Sequence, residues 1–215
     1  MFHVKQADAK LPATSPRAAD HLPEESRRWL EVYANILARW NGTIQLVSPS
    51  DLPLLWERHI ADALQLLPLF PPMLERAIDL GSGGGLPGLV LAIASGVHFD
   101  LVESDGRKAS FLREAASLTG APVTVHAVRA EQVNLPPALL ITARALAPLN
   151  RLLPLAYPLL LPHGVCLFPK GSRFQAELDD AEKDWTMTTH SWPSATAPDA
   201  RLLSIRAIQP KGQRP

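Results

Sequence analysis

The stretch AIDLGSGGGLPG, residues 77–88, decides the fold of this chain. Its first four residues are mostly apolar, as in a buried strand, and Pro87 stands where a proline can open a helix. Between them, Gly81, Gly83 and Gly85 permit positive φ and let a ligand approach the backbone without meeting a Cβ. A strand, a glycine turn and a helix in this order predict a ligand site at the carboxyl end of a strand in an open α/β sheet.

Strand and helix patterns alternate after this segment. The strand candidates are AIDL (77–80), FDLVES (99–104), VTVHAV (123–128), LLITARA (139–145) and GVCLFPK (164–170), and the helical stretches cover about 87–95, 106–119, 148–160 and 174–185. This alternation predicts a mostly parallel sheet with helices on both faces. The helix at 148–160 is apolar almost all round, so we expect it to be buried. Two last strands, TMTTHSW and LLSIRAI (202–208), predict an antiparallel edge and seven strands in all.

Two helical patterns precede the first strand. An amphipathic helix starts near Pro23 and ends at Asn41-Gly42, and a second helix is predicted from Pro53 to Leu67. We therefore expect a helical extension over residues 21–75 and an α/β domain over 76–210. Residues 1–20 are polar and contain two prolines, which predicts a flexible arm, and 211–215 form a short flexible tail.

The composition limits the function classes. A single cysteine, Cys166, excludes a disulfide framework and a cysteine-based zinc or iron–sulfur site, and the six histidines other than His59 show no metal-ligand spacing. We therefore expect no metal. No apolar stretch is long enough to span a membrane and no secretory signal is recognisable, which predicts a cytoplasmic protein with no membrane partner.

The formal charge is balanced, with 21 Lys and Arg against 21 Asp and Glu among 215 residues. That balance gives no sign of a polyanion partner. However, residues 132–176 contain four basic residues and no acidic one: Arg144, Arg151, Lys170 and Arg173. Because this segment surrounds the fourth and fifth strands, the sequence predicts a local basic rim where a ligand would enter, with a shallow salt dependence of nucleic-acid binding.

Two cofactors fit the glycine segment. Residues 83–88 match G-x-G-x-x-G, and Glu103 lies 20 residues beyond Gly83 at the end of the second strand, as in dinucleotide-binding folds. Asp79 favours S-adenosylmethionine instead, because a carboxylate just before the glycines attracts a cationic amino group and repels a pyrophosphate. Glu103 can accept hydrogen bonds from both ribose hydroxyls of either cofactor. A nicotinamide reductase therefore remains an alternative at this point.

Several motifs together resemble those of a known family. WNGTIQLVS (40–48), RHIADAL (58–64), DLGSGGGLPGLVLAI (79–93), LVESDGRKASFLRE (101–114), VRAEQV (128–133), ITARALAPL (141–149) and PKG (169–171) stand in the order and spacing of the small-subunit ribosomal RNA guanine-N7 methyltransferases, the glucose-inhibited division protein B family. The resemblance covers about residues 25–171. It departs at Gln45, Ala63 and Leu86, where the family usually has Asn, Ser and Phe; none of these changes removes a charge.

The resemblance implies a class I S-adenosylmethionine-dependent methyltransferase, Rossmann-like, that methylates guanine N7 in 16S rRNA. It places the cofactor at nine residues: Asp79, Gly81, Gly83, Gly85, Leu86, Glu103, Ala130, Glu131 and Arg144. His59 and Asp62 lie three apart on one helix face. With Arg144 they are expected to position the substrate, while Arg58 and Lys170 are expected to meet RNA. The partner implied is rRNA or the small ribosomal subunit, and we expect a monomer.

The absence of a catalytic base pattern agrees with this chemistry. Guanine N7 has an in-plane lone pair and no proton to lose, so methyl transfer to it needs alignment rather than a general base. ITARALAPL stands where amine methylases of nucleic acids carry N/D-P-P-Y. The competing functions are a reductase, a small-molecule methyltransferase with the helical extension as a lid, and a ribosome-binding module without activity. The reductase lacks a catalytic pair, since Leu161 rather than lysine follows Tyr157 by four residues.

Overall fold

The computed structural model describes residues 22–212, so the predicted flexible arm and the last three residues of the predicted tail lie outside the described residues. The strands are β1 (Arg76–Leu80), β2 (His98–Val102), β3 (Val123–His126), β4 (Ala138–Thr142), β5 (Leu160–Lys170), β6 (Trp185–Pro193) and β7 (Arg201–Pro210). The α-helices are α1 (Glu24–Asn41), α2 (Ala61–Leu64), α3 (Gly88–Ser95), α4 (Gly106–Thr119), α5 (Leu149–Ala156) and α6 (Phe174–Ala181). Within this part of the chain, no helix is both long and apolar enough to cross a membrane.

The strands form one seven-stranded sheet in the order β3-β2-β1-β4-β5-β7-β6. The pairs from β3 to β5 are parallel, whereas β7 runs antiparallel to both β5 and β6. The predicted mostly parallel sheet with an antiparallel edge is therefore confirmed. The strand order reverses between β1 and β4, and the crevice outside that point is where open α/β sheets bind ligands.

Alternating side chains of the strands supply two apolar layers, one on each face of the sheet. Helices α1 to α4 cover one face, where Phe99, Leu101 and Leu140 are buried. Helices α5 and α6 cover the other, over Ile78, Ile141 and neighbouring strand residues. Both faces being covered explains why the central strands read as nearly continuous apolar runs.

Helix α1 belongs to the first of these layers. Its apolar stripe Leu30, Tyr33 and Leu37 is fully buried, and the helix packs against α3 and α4. On its outer side, Arg39 bonds Glu114 of α4. The segment predicted as an extension therefore shares a core with the sheet.

The single helix predicted from Pro53 to Leu67 is wrong. The segment consists of a 3₁₀ turn at Leu52–Leu54, a π-helical turn at Trp56–Ile60, the short α2, and a second 3₁₀ turn at Leu67–Leu69. Each 3₁₀ turn contains a proline, which has no N–H for an α-helical bond. π-Helical turns are frequent at functional sites, and this one carries Arg58 and His59.

The prediction that residues 148–160 form one fully buried helix is also wrong. Helix α5 ends at Ala156 and buries only one side, with Leu149, Leu152, Leu153 and Ala156 inward. A 3₁₀ turn follows it, in which the Tyr157 side chain is 39% exposed. Pro158 within that turn ends the α-helical hydrogen bonding because it cannot donate.

Candidate functional site

The loop between β1 and α3 uses its own amides to hold its shape. Gly81, Gly83 and Gly85 have φ of 68°, 54° and 82°, values that favour glycine. Amides with a hydrogen-bond acceptor inside the protein are those of Gly81, Ser82, Gly83, Gly85 and Leu86. A pyrophosphate site needs free backbone N–H groups, so the loop is poorly suited to a dinucleotide.

Tyr33 of α1 ties the helical extension to this loop. Its hydroxyl donates to the carbonyl oxygen of Gly84 at 2.6 Å, 51 residues away in the chain. Burial raises the pKa of the Tyr33 hydroxyl well above its ordinary value, so the group remains a donor. Tyr33 belongs to the apolar face of α1. A hydroxyl group on a buried face needs a hydrogen-bond acceptor in the element packed against it, and this requirement is the sequence signal for such a contact.

We expect Tyr33→Phe to lower the free energy of unfolding by about 1–3 kcal/mol, because the Gly84 carbonyl loses its donor in a buried place. Urea denaturation measures the change. Tyr157→Phe is the control: its ring packs edge-on against Trp185, which phenylalanine preserves, so we expect a change within about 0.5 kcal/mol. Equal effects of the two substitutions would contradict the role given to the Tyr33 hydroxyl.

Glu103, just after β2, braces the same loop. One carboxylate oxygen accepts the Gly83 amide and the other accepts the Asp105 amide, both at 2.8 Å. The side chain is mostly buried but borders the cleft beside the loop. Because each carboxylate oxygen accepts more than one hydrogen bond, Glu103 retains capacity for hydroxyl groups of a ligand.

The cleft has a volume of about 380 Å³ and lies over the carboxyl ends of β1, β2 and β4. Seven of the nine residues predicted to hold a cofactor line it: Gly81, Gly83, Leu86, Glu103, Ala130, Glu131 and Arg144. Ala130 and Glu131 stand in a 3₁₀ turn after β3. Gly85 and Asp79 are not in its wall. An ideal Cβ on Gly85 would lie 2.8 Å from the Cβ of Leu89, so this glycine serves close packing of the loop on α3.

Asp79 is fully buried, which corrects the expectation that its carboxylate faces a ligand. Thr142 donates to one oxygen at 2.6 Å, and the other oxygen lies against the start of α3 at Gly88. Burial raises the pKa of this carboxyl to about 6, against hydrogen bonds that lower it. In this structure Asp79 joins β1, β4 and α3 beneath the loop.

The raised pKa of Asp79 makes a testable contribution to stability. The folded protein binds this proton more tightly than the unfolded chain, so stability falls as pH rises from the unfolded pKa towards about 6. A shift of this size corresponds to roughly 3 kcal/mol. We therefore expect Asp79→Asn to gain stability relative to the parent protein between about pH 4 and pH 7, measured by urea denaturation. For Asp199→Asn, at an exposed position, we expect the stability difference from the parent to stay the same across this pH range. If the stability of Asp79→Asn also differed from that of the parent by the same amount at every pH, the effect of burial on Asp79 would be contradicted.

Arg144 stands between the cleft and a second cavity of about 500 Å³. Arg144, Ala145 and Leu146, which follow β4, line both spaces. Ala145 has φ of 56°, an uncommon value for a residue with a Cβ, and such strain concentrates at functional sites. Leu146 lies over Gly81 and is 38% exposed. The segment after β4 therefore borders both spaces, and sequence reasoning identified only its arginine.

His59 and Asp62 hold Arg144. The Nη1 group of Arg144 donates to His59 Nδ1 at 3.1 Å and to Asp62 Oδ2 at 3.3 Å. Burial and the positive charge of Arg144 lower the pKa of His59. Since Nδ1 accepts from an arginine, His59 is neutral with its proton on Nε2, which faces Asp51 at 3.7 Å. The three residues expected to position a substrate therefore lie in contact with one another, and that role stays a prediction.

Asp62 also anchors the loop between β6 and β7. Its Oδ1 accepts from Ser194, Thr196 and Gln65, and Gln65 in turn accepts the amide of Ala195 at 2.6 Å. Ser194 and Thr196 line the second cavity. Sequence reasoning missed Ser194 and Thr196 because they lie more than 130 residues from Asp62 in the chain.

The two residues predicted to meet RNA differ in accessibility. Arg58 is 51% exposed and pairs with Asp51 at 2.8 Å on the rim of the second cavity. Lys170 is 8% exposed, and its Nζ donates to the Ala147 carbonyl and to Glu177, each at 2.8 Å. Lys170, which was expected to meet RNA, is therefore mostly buried and engaged in an internal ion pair in the wall of the cavity.

Comparisons with known proteins agree with this geometry. The model of the GidB family, described as rRNA small subunit methyltransferase G, matches residues 26–202. A protein named ribosomal RNA small subunit methyltransferase G from Rhodospirillum centenum is 49% identical over 213 residues, covering 97% of this chain and 99% of that protein. The protein of the same name from Granulibacter bethesdensis is 50% identical over 210 residues, with the same coverage of both chains.

Two solved structures show a similar fold. A mutant of MtNAS in complex with S-adenosylmethionine superposes with a TM-score of 0.58 at 17% identity, covering 84% of this chain and 75% of that one. An O-methyltransferase from Bacillus cereus in complex with SAH gives 0.57 at 16% identity, with 88% and 94% covered. At such identities these likenesses show the fold: the expected class I methyltransferase architecture is confirmed.

Proposed function

The chain belongs to the GidB family, rRNA small subunit methyltransferase G, and from this premise we propose that it methylates N7 of a guanine in 16S rRNA with S-adenosylmethionine as donor. The observation that carries the proposal is the shared wall at residues 144–146. A donor in the cleft and a base in the second cavity would meet there. Proximity of this kind supplies much of the rate in group transfer.

The residues of the cleft fit S-adenosylmethionine better than a dinucleotide. Glu103 would accept hydrogen bonds from the ribose hydroxyls, and apolar Leu46, Leu86 and Val128 in the cleft wall suit an adenine ring. The amides of Gly81, Ser82, Gly83, Gly85 and Leu86 have acceptors within the protein, so a diphosphate would find few free donors in this loop. When bound, the cofactor supplies an electrophilic methyl group on a positively charged sulfur. Asp79 would act indirectly, by supporting the loop from below.

Guanine N7 fits the second cavity because methyl transfer to N7 requires only that the base be oriented, without a general base. The lone pair of N7 lies in the ring plane and no proton leaves with methyl transfer. His59 is neutral and already accepts a hydrogen bond from Arg144, so it is not placed as a base. With Nη1 of Arg144 held by His59 and Asp62, the opposite edge of its guanidinium remains to donate to guanine O6, an acceptor that arginine commonly recognises.

The alternative functions are less well supported. A nicotinamide reductase is disfavoured by the satisfied loop amides and by family membership. A small-molecule methyltransferase would use an enclosed substrate space, whereas the second cavity is open and bordered by arginines. A ribosome-binding module without activity would not need Arg144 held between two cavities. Cytoplasmic location and a monomeric state remain predictions of this proposal.

The test is methyl transfer from labelled S-adenosylmethionine to small ribosomal subunits and to naked 16S rRNA, both from cells lacking the family enzyme. We expect label in rRNA and a single 7-methylguanosine, located by reduction and chain cleavage followed by primer extension. RNA from cells that carry the enzyme is the control and should accept no label. Label in a metabolite extract but not in RNA would favour the small-molecule alternative.

A further inference from the structure

Most positive charges around the second cavity are already neutralised by a partner. Three of its cationic side chains each face a carboxylate: Arg58 with Asp51 at 2.8 Å, Arg144 with Asp62 at 3.3 Å, and Lys170 with Glu177 at 2.8 Å. All six groups line the cavity. These pairs leave little net charge, so the basic rim that the sequence predicts must come from other residues.

Two lining arginines, Arg173 and Arg201, carry the excess positive charge. Within residues 22–212, neither has a carboxylate within ion-pair distance. Arg173 is exposed at the start of α6. Arg201 donates only to the carbonyls of Ala200 and Pro198, at 3.1 Å and 3.4 Å, and its guanidinium carbon lies 5.3 Å from the centre of the Phe174 ring.

The sheet brings these two arginines to one corner of the cavity. Arg201, the first residue of β7, is paired in register with Lys170, the last residue of β5. Gly171 and Ser172 then lead directly to Arg173, and Phe174 beside it carries the ring under Arg201. The Phe174 ring holds the Arg201 guanidinium by a cation–π contact, and Arg201 also lines the cavity. This corner therefore carries two guanidinium groups, those of Arg173 and Arg201, that no carboxylate of residues 22–212 neutralises.

We propose that Arg173 and Arg201 form a binding site for the phosphodiester backbone of single-stranded RNA, beside the space for the target base. A guanidinium group can donate two parallel hydrogen bonds to the oxygens of one phosphate group. An arginine therefore suits such a phosphate contact better than a lysine, whose ammonium group acts as a point charge. Lys170, although part of the PKG motif (169–171), is paired with Glu177 and does not take part. This site rests on the proposed function, since it names where that substrate's backbone is held.

The experiment measures binding of a fluorescent single-stranded RNA oligonucleotide by anisotropy over a range of salt concentrations. For each of Arg173→Gln and Arg201→Gln, we expect the slope of log affinity against log salt to become shallower by about 0.7, as for one lost phosphate contact in single strands. Arg173→Lys keeps the charge and should keep the slope. Arg206→Gln is the matched control, because Arg206 is exposed on the same strand but does not line the cavity.

Binding of S-adenosylhomocysteine, measured by calorimetry, verifies that each variant is folded. Unchanged salt slopes in both glutamine variants, or an equal change in Arg206→Gln, would overturn the phosphate site. A parent protein that binds this RNA without salt dependence would overturn it too. Failure of methyl transfer with salt-dependent RNA binding intact would instead count against the proposed function alone.

Discussion

Replacing Arg144 by lysine should lower kcat/KM for methyl transfer to rRNA by about 10³-fold, the upper range for removal of one positioned electrostatic group. A lysine carries the charge but presents a single nitrogen. It cannot hold His59 and Asp62 with one edge and donate to the base with the other. The partly buried Asp62 would also lose a hydrogen-bond donor. Single-turnover methyl transfer with saturating cofactor measures the effect.

Arg151→Lys is the matched control for Arg144→Lys. Arg151 is exposed on α5, seven residues further along the chain, and lines neither cavity. Its replacement should change kcat/KM by less than about twofold, as for most surface positions. If Arg144→Lys kept a third or more of the parent activity, the two-sided role of Arg144 would be wrong.

Gly88→Ala should destabilise the protein by about 3 kcal/mol and abolish cofactor binding. A Cβ at this position would lie 2.5 Å from the Cβ of Asp79 and 2.7 Å from its carboxylate. Asp79 is fully buried in a central strand and cannot retreat without moving β1. Alanine favours helices by about 1 kcal/mol over glycine, but the clash outweighs this gain. Thermal unfolding and S-adenosylhomocysteine calorimetry measure the two losses.

Gly106→Ala tests whether any alanine at the start of a helix has this effect. Gly106 is the first residue of α4, as Gly88 is of α3, and nothing lies within 4 Å of the Cβ that alanine would add. We expect this variant to be as stable as the parent or up to about 1 kcal/mol more stable. A Gly88→Ala protein with the stability of Gly106→Ala would show that Asp79 yields to the new methyl group.

Sequence patterns predicted the sheet well because its signals are local. Each central strand is a short apolar run that ends in turn residues, and helices α3 and α4 begin and end within one residue of their predicted limits. The segment from Pro53 to Leu67 misled the prediction, since its apolar spacing is helical, while Pro53 at its start, Pro68 just beyond its end and a π-helical turn between them interrupt the α-helical hydrogen bonding. The spacing of apolar residues indicates which side of a segment is buried, but it does not indicate which backbone hydrogen bonds the segment forms.

Site residues were predicted where they end a strand or share a helix turn, as Glu103, His59 and Asp62 do. Partners distant in the chain were not predictable. The pairing of Lys170 with Glu177 and the register that places Arg201 beside Lys170 depend on tertiary structure. The burial of Asp79 likewise depends on the packing of α3 against its side chain, and this close contact is possible because Gly88 has no Cβ.

The packing of α1 against α3 and α4 constrains how the protein is made. A chain synthesised from its amino end exposes the apolar stripe of Leu30, Tyr33 and Leu37 before any of its partners exists. Gly84, which Tyr33 binds, and Phe111, against whose ring it packs, emerge later. The apolar stripe of the first helix can therefore be buried as in the folded protein only after α4 has been synthesised, so the native packing of α1 is completed late in synthesis.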